Sequence, residues 1–169
     1  MIFLECKVFI GSFLYLCMKK EKSVDFDLKK ANFWDYNKIS EIYGEGFSEP
    51  PYNEPWTPKT ALKKIRLFAK YCDIWKIVYE NRIVGFIIIN PNYWFPGKFC
   101  FGEDIAIKKE YRGKGIAKEA LLRIMEIYKK KGFKYFYGTS NNQSKAYKLW
   151  RSIGIKENKY DRTICKKLK

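Results

Sequence analysis

The sequence predicts an α/β fold, a central mixed sheet flanked by helices, in the order β-α-α-β-β-β-α-β-α-β-β. Three observations carry this. Runs rich in β-branched and aromatic residues alternate with segments whose apolar residues recur at helical spacing. Two of the strand-like runs flank a short polar turn at Glu80, Asn81 and Arg82, which makes the first half antiparallel. Later a strand, a glycine-rich turn, a helix and another strand follow in succession, the pattern of a strand–helix–strand crossover. No internal repeat or low-complexity linker interrupts the 169 residues, enough to bury one core, so residues 18–169 read as a single domain.

The elements follow in order. "VDFDLKKA" alternates over Val24, Phe26 and Leu28 and is a strand. Ile39, Ile42, Tyr43 and Phe47 mark a helix across "DYNKISEIYGEGF". "SEPPYNEPWTP" is a loop, because Pro50, Pro51 and Pro55 fix φ and remove backbone donors. A second helix is expected from about Thr60 to Tyr71, burying Ala61, Leu62, Ile65, Leu67, Phe68 and Ala69. "DIWKIVYENRIVGFIIIN" is the hairpin, and "FCFGEDIAIK" the next strand after the loop "PNYWFPGK". The helix after the glycine-rich turn aligns Ile116, Ala117, Ala120, Leu121, Ile124 and Ile127, with Gly132 placed to end it. "KYFYGTS" is a strand. A last helix carries Ala146, Leu149, Trp150 and Ile153 and stops at Gly154. Short strands around Ile155 to Asn158 and Arg162 to Lys167 close the chain.

Composition narrows the chemistry. The net charge of +16 suits nucleic acid, an anionic membrane surface or a phosphate-rich small molecule, and does not choose among them. The chain has no histidine, so a Ser-His-Asp or Cys-His nucleophile is excluded. Five cysteines without C-x-x-C spacing argue against a zinc site or disulfide framework, and no metal is expected. They point to a reducing, cytoplasmic setting. Residues 1–17 are apolar, but the run from Val8 to Cys17 is about half the roughly 20 residues of a membrane helix. Glu5 and Lys7 interrupt a longer span, and no basic start or small-residue cleavage site is present. They read as an extension or a mispredicted start ahead of Met18, in preference to an added strand or an anchor; no membrane partner is expected.

The stretch "YRGKGIAKEALL" carries the chemistry. Gly113 and Gly115 cost helix propensity, roughly 1 kcal/mol each inside a helix. A strand, a glycine turn and a helix start together make an anion site: the first-turn N–H groups point outward, and glycine lets an oxygen approach the backbone. The stretch matches neither G-x-x-x-x-G-K-[ST] nor G-x-G-x-x-G, since Gly115 follows Lys114 and Lys118 stands at the third glycine position.

Arg112, Gly115 and Ala117 fit [RQ]-x-x-G-x-[GA], and the segment from Ile107 to Ala117 resembles the signature of the GNAT superfamily of N-acetyltransferases. "AYKLWRSIGI", from Ala146 to Ile155, is similar to that family's A-x-x-L-Y-x-x-x-G-F block, and "EPPYNEPWT" to a segment of aminoglycoside-type members. The likeness covers Val24 to the C-terminus.

The resemblance implies acetyl-CoA as cosubstrate, lying in a V-shaped opening between the strands on either side of the crossover. Backbone groups of Ile105, Ala106 and Ile107 would pair with its pantetheine arm. N–H groups of Arg112, Gly113, Lys114, Gly115, Ile116 and Ala117 would hold the pyrophosphate, with Asn142 and Gln143 beside the cofactor. Lys109, Lys118 and Lys145 are further neighbours of the phosphates. The family often has Asn where Gln143 stands. Its usual proton-donating tyrosine is replaced by Trp150, so Tyr147, about 60° round the helix, is the substitute candidate acid. For the base, strict alternation puts Phe99, Phe101, Glu103, Ile105 and Ile107 on one face, where burial would raise the Glu103 pKa. A bulge in this strand would favour Asp104 instead. Glu49, Tyr52, Glu54 and Trp56 would wall the acceptor side, where carboxylates and aromatic faces suit a cationic amine.

The expected activity is acetyl transfer from acetyl-CoA to a primary amine, on a small molecule or a protein, by direct attack. Two readings from other classes stay open: a basic RNA- or ribosome-associated module, and an acyl-CoA-binding protein without catalysis. Salt-dependent RNA retention without acetyl-CoA binding would select the first of these.

Overall fold

The computed structural model describes residues 24–158. Strands β1 (Asp27–Lys30), β2 (Asp73–Tyr79), β3 (Arg82–Asn90), β4 (Phe99–Ile107) and β5 (Tyr135–Gly138) form one sheet in sequence order. The first four are antiparallel, and β5 joins β4 in parallel. This is the mixed sheet that the alternating pattern predicts.

The β2–β3 turn is tighter than the polar triplet suggests. Tyr79 pairs with Arg82, so Glu80 and Asn81 alone make the turn, both at positive φ (50° and 58°). That is the two-residue geometry whose twist matches the flanking strands.

Helices α1 (Tyr36–Ser48) and α2 (Pro58–Phe68) cover one face of the sheet. They bury Ile39, Ile42, Tyr43, Ile65 and Phe68 against Ile74, Phe86 and Ile88. Helix α2 starts earlier than its apolar spacing implies, because Thr57 caps it reciprocally with Thr60 and Pro58 occupies its first position. It ends at Phe68, and Leu67, expected to be buried, is exposed because it lies about 200° round the helix from the buried Ile65. Helix α3 (Ile116–Lys130) covers the other face, packing Ile116, Leu121 and Ile124 on Ile77, Ile87, Ile89 and Ile107. Helix α4 (Lys145–Ser152) lays Leu149 and Trp150 beside the same cluster.

The strand expected over residues 155–158 does not form. Gly154 turns left-handed at φ 84°, and the Ile155 N–H donates to the Trp150 carbonyl, closing the helix. Glu157 then reaches back to Tyr147 and Arg151, which holds this stretch against α4. The predicted strand at 162–167 and the apolar segment 1–17 lie outside the described residues. Among the described residues, no helix is long and apolar enough to cross a membrane.

Candidate active site

The site begins where β4 and β5 part. Strand β5 pairs only with Phe99 to Gly102, so the edge from Glu103 to Ile107 has no strand partner on that side among the described residues. Two local features cause the parting. Gly138 ends β5, and Ser144 soon caps α4 by accepting from the Tyr147 N–H at 3.0 Å. On β4, Ile88 pairs with Asp104 and Ile89 with Gly102, so Glu103 is an extra residue: a bulge that bends the strand.

A cleft of about 530 Å³ occupies the opening. Ile105, Ala106 and Ile107 of β4 line it together with Gly113, Gly115, Ile116 and Ala117 of the glycine turn and the α3 start, and with Gln143, Ala146 and Leu149 at and before α4. Gly113 and Gly115 both sit at φ +80°. A Cβ at Gly113 would meet nothing within 4 Å, and one at Gly115 only Val24 at 4.0 Å. Protein crowding therefore does not require these glycines; the left-handed backbone does, a conformation that L side chains rarely adopt.

While α2 and α4 start on side-chain caps, α3, like α1, has no side-chain cap hydrogen bond among the described residues. Among the described residues, the N–H groups of Gly113, Lys114, Gly115, Ile116 and Ala117 have no backbone acceptor in the loop. A helix start of this kind attracts anions.

Side chains around the loop divide into two groups. Lys118, Lys145 and Gln143 line the cleft. Lys114 turns away, its ammonium 5.5 Å and 5.2 Å from the rings of Tyr79 and Tyr111, and Asn142 lies outside the lining. Arg112 braces the loop. Its Nε donates to the Ile107 carbonyl at 2.8 Å and its Nη1 to Glu49 Oε2 at 2.6 Å. That guanidinium holds the Glu49 carboxyl below its ordinary range, and Lys109 stands 3.8 Å from the same carboxylate. Glu49 and Tyr52, expected on the acceptor side, both line this cleft.

At its inner end the cleft meets a cavity of about 40 Å³, sharing Phe47, Tyr52, Ile105 and Ala146 with it. Glu103, Asp104, Thr139, Ser140 and Trp150 complete this cavity. The bulge overturns the strict alternation along β4. Ile105 and Ile107 pack with the α3-side cluster, whereas Asp104 and Ala106 face α1. Glu103 accepts from Asn90 Nδ2 at 3.1 Å, and Asp104 accepts from the Tyr43 hydroxyl at 3.1 Å. Burial pushes the Asp104 carboxyl up to about 7, an effect the Tyr43 hydrogen bond only partly offsets. Burial and this carboxylate together raise the Tyr43 pKa, so the phenol remains the donor. Trp56 packs edge-on to Tyr43 and donates to Glu54 at 2.6 Å, so both flank the pair.

The structure does not bring Tyr147 to either cavity. Its hydroxyl donates to Glu157, which raises its pKa, and the group faces solvent. Trp150, at the position of the family tyrosine, lines the small cavity and packs on Phe136 at 5.9 Å. Tyr52 is the phenol that lines both spaces. Sequence reading placed Tyr43 in the core, which is correct, but missed its bond to Asp104. Gly102 beside two acidic residues was the available signal, since a glycine inside a strand marks a bulge.

A profile of the acetyltransferase (GNAT) family matches residues 36–155, well over half of the chain. No curated protein matches the sequence. Among solved structures, the chain is similar to one described as "a possible acetyltransferase from Clostridium difficile 630", at 15% identity and TM-score 0.72, over 85% of this chain and 99% of that one. It is also similar to the aminoglycoside N-acetyltransferase AAC(6')-Iy in complex with CoA, at 16% identity and TM-score 0.65, over 85% and 95% of the two chains. A third is the ribosomal-protein-alanine N-acetyltransferase from Brucella melitensis biovar Abortus 2308, at 14% identity and TM-score 0.66, over 84% and 99%. At these identities the likeness is one of fold.

Proposed function

Since this chain belongs to the GNAT family of acetyltransferases, we propose that it moves an acetyl group from acetyl-CoA to a primary amine by direct attack of the amine. The observation that carries this reading is one continuous opening. It runs from an uncapped, glycine-preceded helix start, along the unpaired edge of β4, to a carboxyl whose pKa lies near neutrality.

The cleft fits acetyl-CoA as a substrate. The N–H groups between Gly113 and Ala117 are available donors for a pyrophosphate, and Lys118 and Lys145 add positive charge to the lining. Backbone groups of Ile105 to Ile107 offer the arm an added-strand pairing. Acetyl-CoA itself supplies an activated carbonyl and a thiolate leaving group. The enzyme's work is to present a neutral amine and accept its proton.

Asp104 is the base in this reading, in preference to Glu103. With a pKa of about 7 it is substantially ionised at neutral pH yet basic enough to take a proton. Tyr43 orients it through the 3.1 Å bond from α1. For the departing thiolate, Tyr52 replaces Tyr147 as the candidate acid, because its ring lines both spaces. A thiol with a pKa of about 8.5 also leaves readily without help.

Thiol release from acetyl-CoA across a panel of amines tests the reading. Amine-dependent release is expected from the wild type; CoA binding without release for any amine would leave only the acyl-CoA-binding reading.

A further inference from the structure

Outside the cleft, the same face of the sheet carries a surface that acetyl transfer alone does not explain. Phe99 and Phe101 on β4 pair with Tyr135 and Tyr137 on β5, and the β3–β4 loop lays Tyr93 and Trp94 over them. The six rings form a continuous set. Tyr93 lies 4.4 Å from Phe101, Trp94 is 5.2 Å from Tyr137, and Phe99 stacks on Tyr135 at 5.0 Å.

This shelf leads into the catalytic cavity along both strands. Phe101 is opposite Asn90, whose amide donates to Glu103, and Asp104 follows in the chain. Tyr137 lies two residues before Thr139, which lines the same cavity as Glu103 and Asp104. Trp94 is 62% exposed and sits at φ +52°. A bulky residue rarely adopts that backbone region, and such strain persists where a function holds it.

Charge along the shelf is graded. Its inner end has the carboxylates of Glu103 and Asp104. Its outer end has Lys98, with the ammonium 5.7 Å from the Phe99 ring. One ammonium is favoured at the inner end, and a second at the outer end is repelled.

The geometry points to a primary monoamine with an aromatic or apolar body as the acceptor, its ammonium at Glu103 and Asp104 and its body on the Trp94 shelf. This rests on the acetyltransferase reading for its chemistry, but not for its binding. Polyamines and other extended polycations are disfavoured by Lys98 and by the net charge of +16.

The test compares 2-phenylethylamine, ethylamine and spermidine as acceptors for the full chain and for Trp94→Asn. Asparagine tolerates positive φ, so this variant removes the ring without adding backbone strain, and its CoA thermal shift should match that of the wild type. The wild type is expected to show kcat/KM for 2-phenylethylamine about tenfold or more above that for spermidine. In Trp94→Asn that advantage should fall through KM, while ethylamine turnover and the KM for acetyl-CoA stay unchanged. A preference for spermidine, or an equal effect of the variant on 2-phenylethylamine and ethylamine, would overturn the assignment. Calorimetric titration of 2-phenylethylamine into the CoA-bound protein separates the two readings. Binding that Trp94→Asn abolishes supports the shelf even if no amine is acetylated. Absence of binding overturns the shelf even if another amine is turned over.

Discussion

The Asp104 carboxyl couples activity to stability through one proton. Burial holds it at about 7 in the folded chain, above its ordinary value of 3.8. Between about pH 4 and pH 7 the folded form therefore binds a proton that the unfolded form has lost. Its contribution to stability is full below about pH 4 and is lost as pH rises through about 7. Asp104→Asn should accordingly melt above the wild type at pH 8, by thermal denaturation, and lose that advantage near pH 4. In the proposed function the same change removes the base, so turnover should fall by about 10²-fold or more. Glu103→Gln should cost much less, because the bulge points the alternative carboxylate at Asn90. Tyr147→Phe should leave turnover unchanged, its hydroxyl being committed to Glu157 outside the cleft. Tyr52→Phe should slow turnover most at low pH, where a departing thiolate gains most from a proton; identical pH profiles for the two proteins would remove Tyr52 from the mechanism.

At the scale of elements, the proposed function gives the turn before α3 the task of cofactor recognition through its backbone. Gly115→Val should lose about 1–2 kcal/mol of stability, because valine at φ +80° is strained even in open space. It should also lose the thermal shift that CoA gives the wild type. Gly115→Asn tolerates the left-handed turn, so it should remain as stable as wild type while its CoA shift shrinks; a full shift in both variants would show that phosphate does not approach Gly115. The existence of this turn was legible in the sequence, since Gly113 and Gly115 stand between a strand pattern and a helix pattern. So were the core faces of α1 and α3, where Ile39, Ile42, Tyr43, Phe47 and Ile116, Ala120, Leu121, Ile124 are all buried. The face of Asp104 was not legible, because it depends on which β3 residue each β4 residue opposes. One extra residue at Glu103 reverses the alternation, and register belongs to the pair of strands rather than to either one. Trp150 was visible at the tyrosine position, but what stands near it, Phe136 and the small cavity, comes from β5 and from the other side of the opening.

For the molecule as a whole, the opening is assembled from α1, the loop after it, β4, the turn before α3 and α4, and among the described residues its lining begins at Gly46. The family match begins only at residue 36, so a chain beginning at Met18 should keep both its CoA thermal shift and its turnover; loss of the shift on removing residues 1–17 would assign that segment to the binding-competent fold. The most direct test of the central claim is the pH profile of thiol release from acetyl-CoA with a saturating amine, for the wild type and for Asp104→Asn. The account predicts amine-dependent release that rises through about pH 7 in the wild type. In the variant that release should collapse while the CoA thermal shift persists. Release that is absent for every amine, or that Asp104→Asn leaves intact, would contradict it.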